Sequence, residues 1–319
     1  MNKKRFISIV VSVAILCIIY SKIDLPRLIA VFQNCDPVWM IISLGMVIPL
    51  TLFTSWRLQQ LMPAGKGLGF LEANRLILAA SVLNMVLPSK MGDIAKAYFM
   101  KDRGHLEGSL ALSLVIFEKA CDMLSLLLWC VFGLLFYANK DTLFWLMTVG
   151  VAFGLVIGVM LLASQKFAQI FFVLALKIAP KKIKPKLEKM QSSWVEMHDY
   201  FWRDKVQLTK ITVTSVFIWF LHLLQIYFFT LAIRAEVPFL VNLALSPLSI
   251  LAGLLPLTFA GVGTRDAAII LFYQPYMSEA KGAALGLLCT SRYFLPAIGG
   301  LPFLGQFLAT VKRVKKQSL

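Results

Sequence analysis

Charge is scarce in this chain, and negative charge is scarcer still. Of its 319 residues only 15% are charged, against about 25% in an ordinary soluble protein. The 16 Asp+Glu are outnumbered by 32 Lys+Arg. Histidine is limited to His105, His198 and His222, too scattered for a histidine-based metal site. The five cysteines, Cys17, Cys35, Cys121, Cys130 and Cys289, fit no zinc or redox spacing. Four of them lie in apolar stretches, where cysteine commonly serves as a small hydrophobe. No Gly-x-x-x-x-Gly-Lys occurs, so the sequence offers no phosphate-binding loop for nucleotide hydrolysis. Asp-x-Asp and Gly-x-Ser-x-Gly are missing too, which removes the usual signs of metal-dependent sugar-nucleotide transfer and of a nucleophile elbow.

Apolar residues, by contrast, make up 59% of the chain. That excludes a soluble globular enzyme and a disordered chain. The net charge of +16 marks cytoplasmic loops in a chain this apolar, not a nucleic-acid surface. The sequence reads as an all-α polytopic membrane protein, a single integral domain over residues 1–319.

A spanning helix needs about 20 apolar residues. Six such segments stand near 6–22, 38–58, 109–137, 143–163, 208–233 and 282–308. The first follows Lys3-Lys4-Arg5 and lacks a small-residue cleavage site at Ser21-Lys22-Ile23-Asp24, so a retained helix is expected. Two further apolar stretches, 72–102 and 239–276, are interrupted at Pro88-Ser89-Lys90-Met91-Gly92-Asp93 and at Pro256 to Gly263. Backbone that leaves the helix at membrane depth needs protein or a water-filled cavity to satisfy it. Each interruption is therefore a bent span or a re-entrant hairpin of two half-helices. With both taken as hairpins, 164–207 and the tail after 309 fall on the cytoplasmic side, as do both termini. These are the most basic segments, as the positive-inside rule requires. Within 164–207 a turn is expected over 179–185 and one amphipathic helix over 186–204, resting on anionic headgroups.

The two interruptions resemble each other. Leu87-Pro88, a polar link, Gly92-Asp93 and Ala95 parallel Leu255-Pro256, a longer link, Gly263-Thr264-Arg265-Asp266 and Ala267. In this topology they enter from opposite sides, so a first half around 38–137 and a second over 208–308 read as inverted repeats. Paired Gly/Pro-interrupted segments of this kind point to a transporter's binding site. A half-helix starting inside the membrane offers free N–H groups and a positive dipole end to an anion.

Ionisable residues inside a membrane are costly and by default functional. Lys90, Asp93 and Lys96 stand at the first interruption, Arg265 and Asp266 at the second. Glu118, Lys119 and Asp122 lie within 109–137, with Glu118 and Asp122 four apart on one helix face. Arg292 falls ten residues into the last span, and Arg57 closes the second span, where it is expected to snorkel to the headgroups. Arg265 and Arg292 suit a phosphate, because a guanidinium presents forked donors. The carboxylates suit a proton or a cationic headgroup. The alternative is an ion-pair network that only holds the halves together. Asn84, Thr258, Pro88, Ser89, Gly92, Gly261 and Gly263 complete the candidate site; His222 and Gln225 read as interhelical hydrogen-bond partners. No metal or cofactor is expected.

At these residues the chain resembles the flippase-like transmembrane domain of lysylphosphatidylglycerol synthases, the multiple peptide resistance factor family, over roughly 5–310. The resemblance is carried by Ser55-Trp56-Arg57-Leu58, by Leu87 to Asp93, by Phe117-Glu118-Lys119-Ala120-Cys121-Asp122 and by Gly261-Val262-Gly263-Thr264-Arg265-Asp266-Ala267. The chain departs from the family at Lys119, where Arg is usual, at Asp266, often Glu, and at Thr258 to Gly261, where Pro-Gly-Gly is common. The resemblance implies translocation of lipids between leaflets of a bacterial cytoplasmic (inner) membrane, with substrate between two inverted halves. It also implies that aminoacyl transfer, which belongs to a separate soluble domain, is not expected of this chain, so no enzymatic activity is. Membrane lipids with anionic headgroups are the expected partners, with proton or cation coupling and a homodimer left open. A membrane-embedded lipid-modifying enzyme, such as a polyprenyl-linked glycosyltransferase, and an ion-coupled carrier of a soluble metabolite are the competing readings.

Overall fold

A computed structural model describes residues 25–63, 67–86, 92–102, 106–137, 140–180, 184–255 and 262–317. Among these residues every regular element is a helix. In chain order they are α1 (Leu25–Gln33), α2 (Pro37–Gly45), α3 (Val47–Leu61), α4 (Phe70–Val86), α5 (Gly92–Asp102), α6 (Gly108–Phe136) and α7 (Thr142–Ala163). Then follow α8 (Gln165–Ile178), α9 (Lys184–Arg203), α10 (Lys205–Ala232), α11 (Phe239–Gly253), α12 (Thr264–Tyr273), α13 (Glu279–Ser291) and α14 (Phe294–Gln317).

Five stretches are long and apolar enough to cross a membrane: Pro37–Leu61, Gly108–Phe136, Thr142–Ala163, Lys205–Ala232 and Glu279–Gly305. They correspond to five of the six expected spans, and residues 6–22 lie outside the described residues. The protein is an all-α polytopic membrane protein. Polar residues at the helix starts explain where several begin. Asp36 accepts from the N–H groups of Val38 and Trp39, with Pro37 at the first helical position. Asp141, Asp204 and Ser278 cap α7, α10 and α13 in the same way.

Two of these spans are interrupted within their length. The first divides at Met46 into α2 and α3. The last divides at Arg292–Tyr293 into α13 and α14. The cause is the same in both. Pro49 and Pro296 each stand third in the following helix, lack an N–H, and exclude the carbonyl four residues back, that of Gly45 and of Arg292. Two corrections concern the connections. Residues 164–207 form a pair of helices, α8 and α9, where one helix was expected, and residues 23–37 include α1, which packs on α13. Ser164 starts α8 by accepting from the Phe167 N–H.

The two interrupted stretches do form helix pairs, α4 with α5 and α11 with α12, each packed arm on arm. With 11 residues in α5 and 10 in α12, the second arms reach about 15 Å, half the hydrocarbon thickness. The arms pinch at glycine. A Cβ on Gly92 would lie 2.4 Å from the Ala80 carbonyl oxygen, and one on Gly253 2.8 Å from the Cβ of Arg265.

Two large apolar cores stand beside a small third one of Leu50, Ile218 and Leu221 between α3 and α10. One joins α3, α4, α5, α9 and the first half of α6. The other joins α10 to α13 with the second half of α6. The most extensive helix packings are α14 on α4 and α6 on α11. Both depend on glycine. A Cβ on Gly300 would sit 2.1 Å from the Leu78 carbonyl oxygen, and one on Gly133 2.3 Å from that of Ala244. Without a hydrophobic drive between helices in lipid, such close backbone approach supplies the packing energy.

Candidate functional site

The charged residues of the first half close into a ring. Arg57 on α3 pairs with Asp122 and, at 3.0 Å, with Glu118. The other oxygen of Glu118 takes Lys96 at 2.7 Å. Lys96 reaches Asp93 at 3.4 Å, and Asp93 takes Lys119 on its other oxygen at 2.9 Å. Lys119 reaches Asp122 at 3.2 Å, which completes the circuit back to Arg57. Three cations alternate with three carboxylates. Helical spacing prepares this order: Asp93 and Lys96 are three apart on α5, and on α6 Asp122 lies three residues from Lys119 and four from Glu118.

The ring is tilted with respect to its surroundings. The side chains of Arg57, Lys96 and Glu118 are 2%, 1% and 0% exposed, while those of Asp93, Asp122 and Lys119 are 14%, 21% and 43% exposed. Arg57 therefore does not snorkel, contrary to expectation. It is buried, and its Nη1 also donates to Ser215 Oγ on α10 at 3.1 Å. Two carboxylates on the next span, Glu118 and Asp122 of α6, outbid the headgroups because burial is already compensated there. Ser215 was not singled out from sequence, since serine in an apolar helix more often satisfies its own backbone.

The second half holds a different arrangement. Gly263 has φ 99°, a left-handed conformation that favours glycine, and its N–H donates to Asp266 Oδ2 at 3.0 Å. The start of α12 thus carries its own carboxylate. The other oxygen of Asp266 accepts from Arg265 at 2.8 Å. The rest of the Arg265 guanidinium ties α12 to α13: Nη2 donates to Gly286 O at 3.2 Å and to Thr290 Oγ1, and Nη1 to Cys289 O at 3.4 Å. Gly286 admits this approach, because a Cβ there would lie 2.9 Å from Asp266 Oδ1.

Arg292 sits at the break between α13 and α14 and is 5% exposed. Its Nη1 donates to Gln225 Oε1 on α10 at 3.3 Å and its Nη2 to Tyr293 OH at 3.2 Å. Gln225 in turn donates to Ser43 O at 2.9 Å, so it is the interhelical partner expected. The Nε of Arg292 is buried without an acceptor among the described residues. Arg292 and Arg265 line one cavity with Ser246, Ser249 and Tyr273. Behind it, Asn242, Ser246 and Tyr273 form a closed hydrogen-bonded trio, with 2.7 Å between the two hydroxyls.

The two clusters meet the same helix at Ser215 and Gln225, about 15 Å apart along α10. The charges expected at one site thus divide into a neutral ring and a basic cavity. Asn84 ends α4 against Gly92, where an added Cβ would lie 2.7 Å from its Oδ1. Pro88, Ser89, Lys90, Thr258 and Gly261 lie outside the described residues. Arg75 on α4, not singled out from sequence, places its guanidinium 5.6 Å from the Phe303 ring on α14.

Residues 5–300 match the family model described as the lysylphosphatidylglycerol synthase TM region. The chain is also similar to a UPF0104 membrane protein of Methanocaldococcus jannaschii, 23% identical over 206 residues, covering 63% of this chain and 82% of that protein. With the family model matched over nearly its whole length and five helices long and apolar enough to span, the chain is a multi-pass membrane protein that belongs to the lysylphosphatidylglycerol synthase transmembrane-region family.

Proposed function

We propose that this chain moves a lipid headgroup between leaflets while the acyl tails stay in the bilayer, and that it does so by rocking two inverted halves about α6 and α14. The observation that carries the reading is the exchange of partners between halves. The last span of each packs, through one glycine, on the first arm of the other half's hairpin: Gly133 on α11 and Gly300 on α4. The two glycines stand at nearly equal spacing after Pro88 and Pro256. Interrupted helices at matched positions, with ionisable groups beside them, are the usual setting of a transport site near the midplane. A lipid is favoured as cargo because the family is named for a lipid-synthesising enzyme. Bond-making chemistry finds little support. Glu118 and Asp122, the paired carboxylates, are both held by Arg57, which leaves neither free to serve as a general base.

The test is reconstitution into vesicles carrying a fluorescent phospholipid, with a membrane-impermeant quencher outside. Translocation exposes the inner-leaflet pool to the quencher. A pool that stays as protected as in protein-free vesicles, for every phospholipid tried, rejects the reading.

A further inference from the structure

Residues 164–207 carry nine basic side chains against four acidic ones, and the sequence reading rests 186–204 of this segment on the headgroups. The fold spends that helix otherwise. Trp194, Met197 and Phe201 of α9 are buried, and Phe201 stacks on Phe117 of α6 with ring centroids 4.7 Å apart. The exposed face of α9 holds Glu188, Ser192, Glu196, Asp199 and Arg203, side chains suited to water.

α8 is built the other way round. Its Ala168 is buried, and its Phe172 ring lies 6.2 Å from that of Trp194 on α9. Ile170, Phe171, Leu174 and Ile178 are exposed, and with Phe167 their spacing puts them on one stripe. Lys166 and Lys177 are exposed as well. They stand about three helical turns apart, so both edge the same flank of the stripe.

The preceding span fixes the depth of α8. The 22 residues of α7 reach about 33 Å, enough for the hydrocarbon layer, and Ser164 alone separates the two helices. The corner is clamped from α9: Trp202 Nε1 donates to Leu162 O at 2.9 Å, and Gln165 Nε2 lies 3.2 Å from His198 Nδ1. α8 thus starts at the membrane edge. Its 14 residues reach about 21 Å, too short to cross.

We propose that α8 lies in the plane of the membrane as an anchor, its stripe among the acyl chains and Lys166 and Lys177 on the phosphates of anionic phospholipid. The partner is the leaflet around the protein, not the cargo, so the inference stands apart from the translocation reading. Two observations choose lipid as the occupant. The stripe continues the apolar surface of α7, where Phe153, Val156 and Val159 are exposed, so the lipid covering one helix reaches the other. An apolar face flanked by lysines is also the pattern of helices that lie in the interface. The lysine stems run along the apolar surface while their ammonium groups reach the headgroups, and the basic excess of 164–207 adds attraction to an anionic leaflet.

The experiment uses the full chain in phosphatidylcholine vesicles. A trace of either phosphatidylglycerol or phosphatidylcholine carries a diazirine on one acyl chain, and the labelled peptides are mapped after irradiation. The phosphatidylglycerol probe is expected to label residues 165–178 about fivefold more than the phosphatidylcholine probe, the scale of one lysine at a charged surface. Both probes are expected to label 149–160 of α7 equally. The double variant Lys166→Gln and Lys177→Gln is expected to bring the probes level on α8 and to leave α7 unchanged. An unlabelled α8 beside a labelled α7 overturns the proposal, and amine cross-linking of two chains through Lys166 then gives the face to a second copy. Equal labelling of α8 by the two probes in wild type overturns the anionic partner, as does an unchanged excess in the double variant. Labelling of 188–203 as strong as that of α8 overturns the orientation. Lipid movement is read in separate vesicles, so failure of either reading leaves the other standing.

Discussion

Arg57 and Glu118 meet at 3.0 Å with neither side chain reaching solvent, and the contact ties the span before the first hairpin to the span after it. Glu118 also receives Lys96 from the hairpin's second arm on its other oxygen. One carboxylate thus fastens three elements. Removing it leaves two cations buried, which is far costlier than never having buried the set. Glu118→Ala is expected to lower stability by about 3–5 kcal/mol. Lys119→Ala, on the exposed rim of the same ring, is expected to cost less than about 1 kcal/mol. Thermal unfolding in detergent compares them, and equal losses would contradict the graded burial of the ring.

Arg57→Lys is a sharper probe of the same contact. A lysine keeps the charge but cannot span Glu118, Asp122 and Ser215 at once, which the guanidinium fork does. The expected outcome is a loss nearer to that of Arg57→Met than to wild type. Full stability in Arg57→Lys would show that charge alone suffices there.

The glycine crossings can be tested as a pair. Gly300→Ala and Gly133→Ala each place a methyl group where a carbonyl oxygen already stands, 2.1 and 2.3 Å away. Each is expected to cost about 1–3 kcal/mol through forced separation of the helices, and to slow lipid movement in vesicles. Gly150→Ala on α7 meets nothing within 4 Å and serves as the neutral control. If Gly150→Ala does as much harm as the other two, close packing is not what these glycines provide.

Arg265 and Arg292 are expected to respond in opposite ways. Arg265→Ala removes the tie between α12 and α13 and strands Asp266, so the melting temperature falls. Arg292→Gln removes a buried charge that has no counter-ion among the described residues, so the ligand-free protein is expected to melt higher than wild type. A lower melting point for Arg292→Gln without lipid would make Arg292 a structural strut.

Pro296 explains why Arg292 stands outside regular helix. Pro296→Ala restores an N–H that can reach the Arg292 carbonyl, and joins α13 to α14. The expected result is a more stable span, read as a higher melting temperature in detergent. An unchanged melting temperature would show that the break costs the span nothing.

Much of this protein follows from its sequence alone. Continuous apolar runs of about 20 residues form helices in lipid, because a helix satisfies all its backbone groups within one segment, and five of the expected spans stand where the runs do. Local rules also place the hairpin arms: Gly92 and Gly263 open α5 and α12, and Asp36, Asp141 and Asp204 start their helices by capping. The proline breaks at Met46 and Arg292 were within reach of the same rules, through Pro49 and Pro296, but were masked by hydropathy, which does not register a missing N–H. What sequence could not decide was the pairing of charges. Arg57, Lys96 and Glu118 come from three elements, and only their packing turns separate intramembrane charges into a closed neutral ring. Whether Arg265 or Arg292 is spent depends likewise on which carbonyls α13 presents and on where Asp266 turns. A charge's role in a membrane is set by what surrounds it at contact distance, and those surroundings are assembled by helix packing.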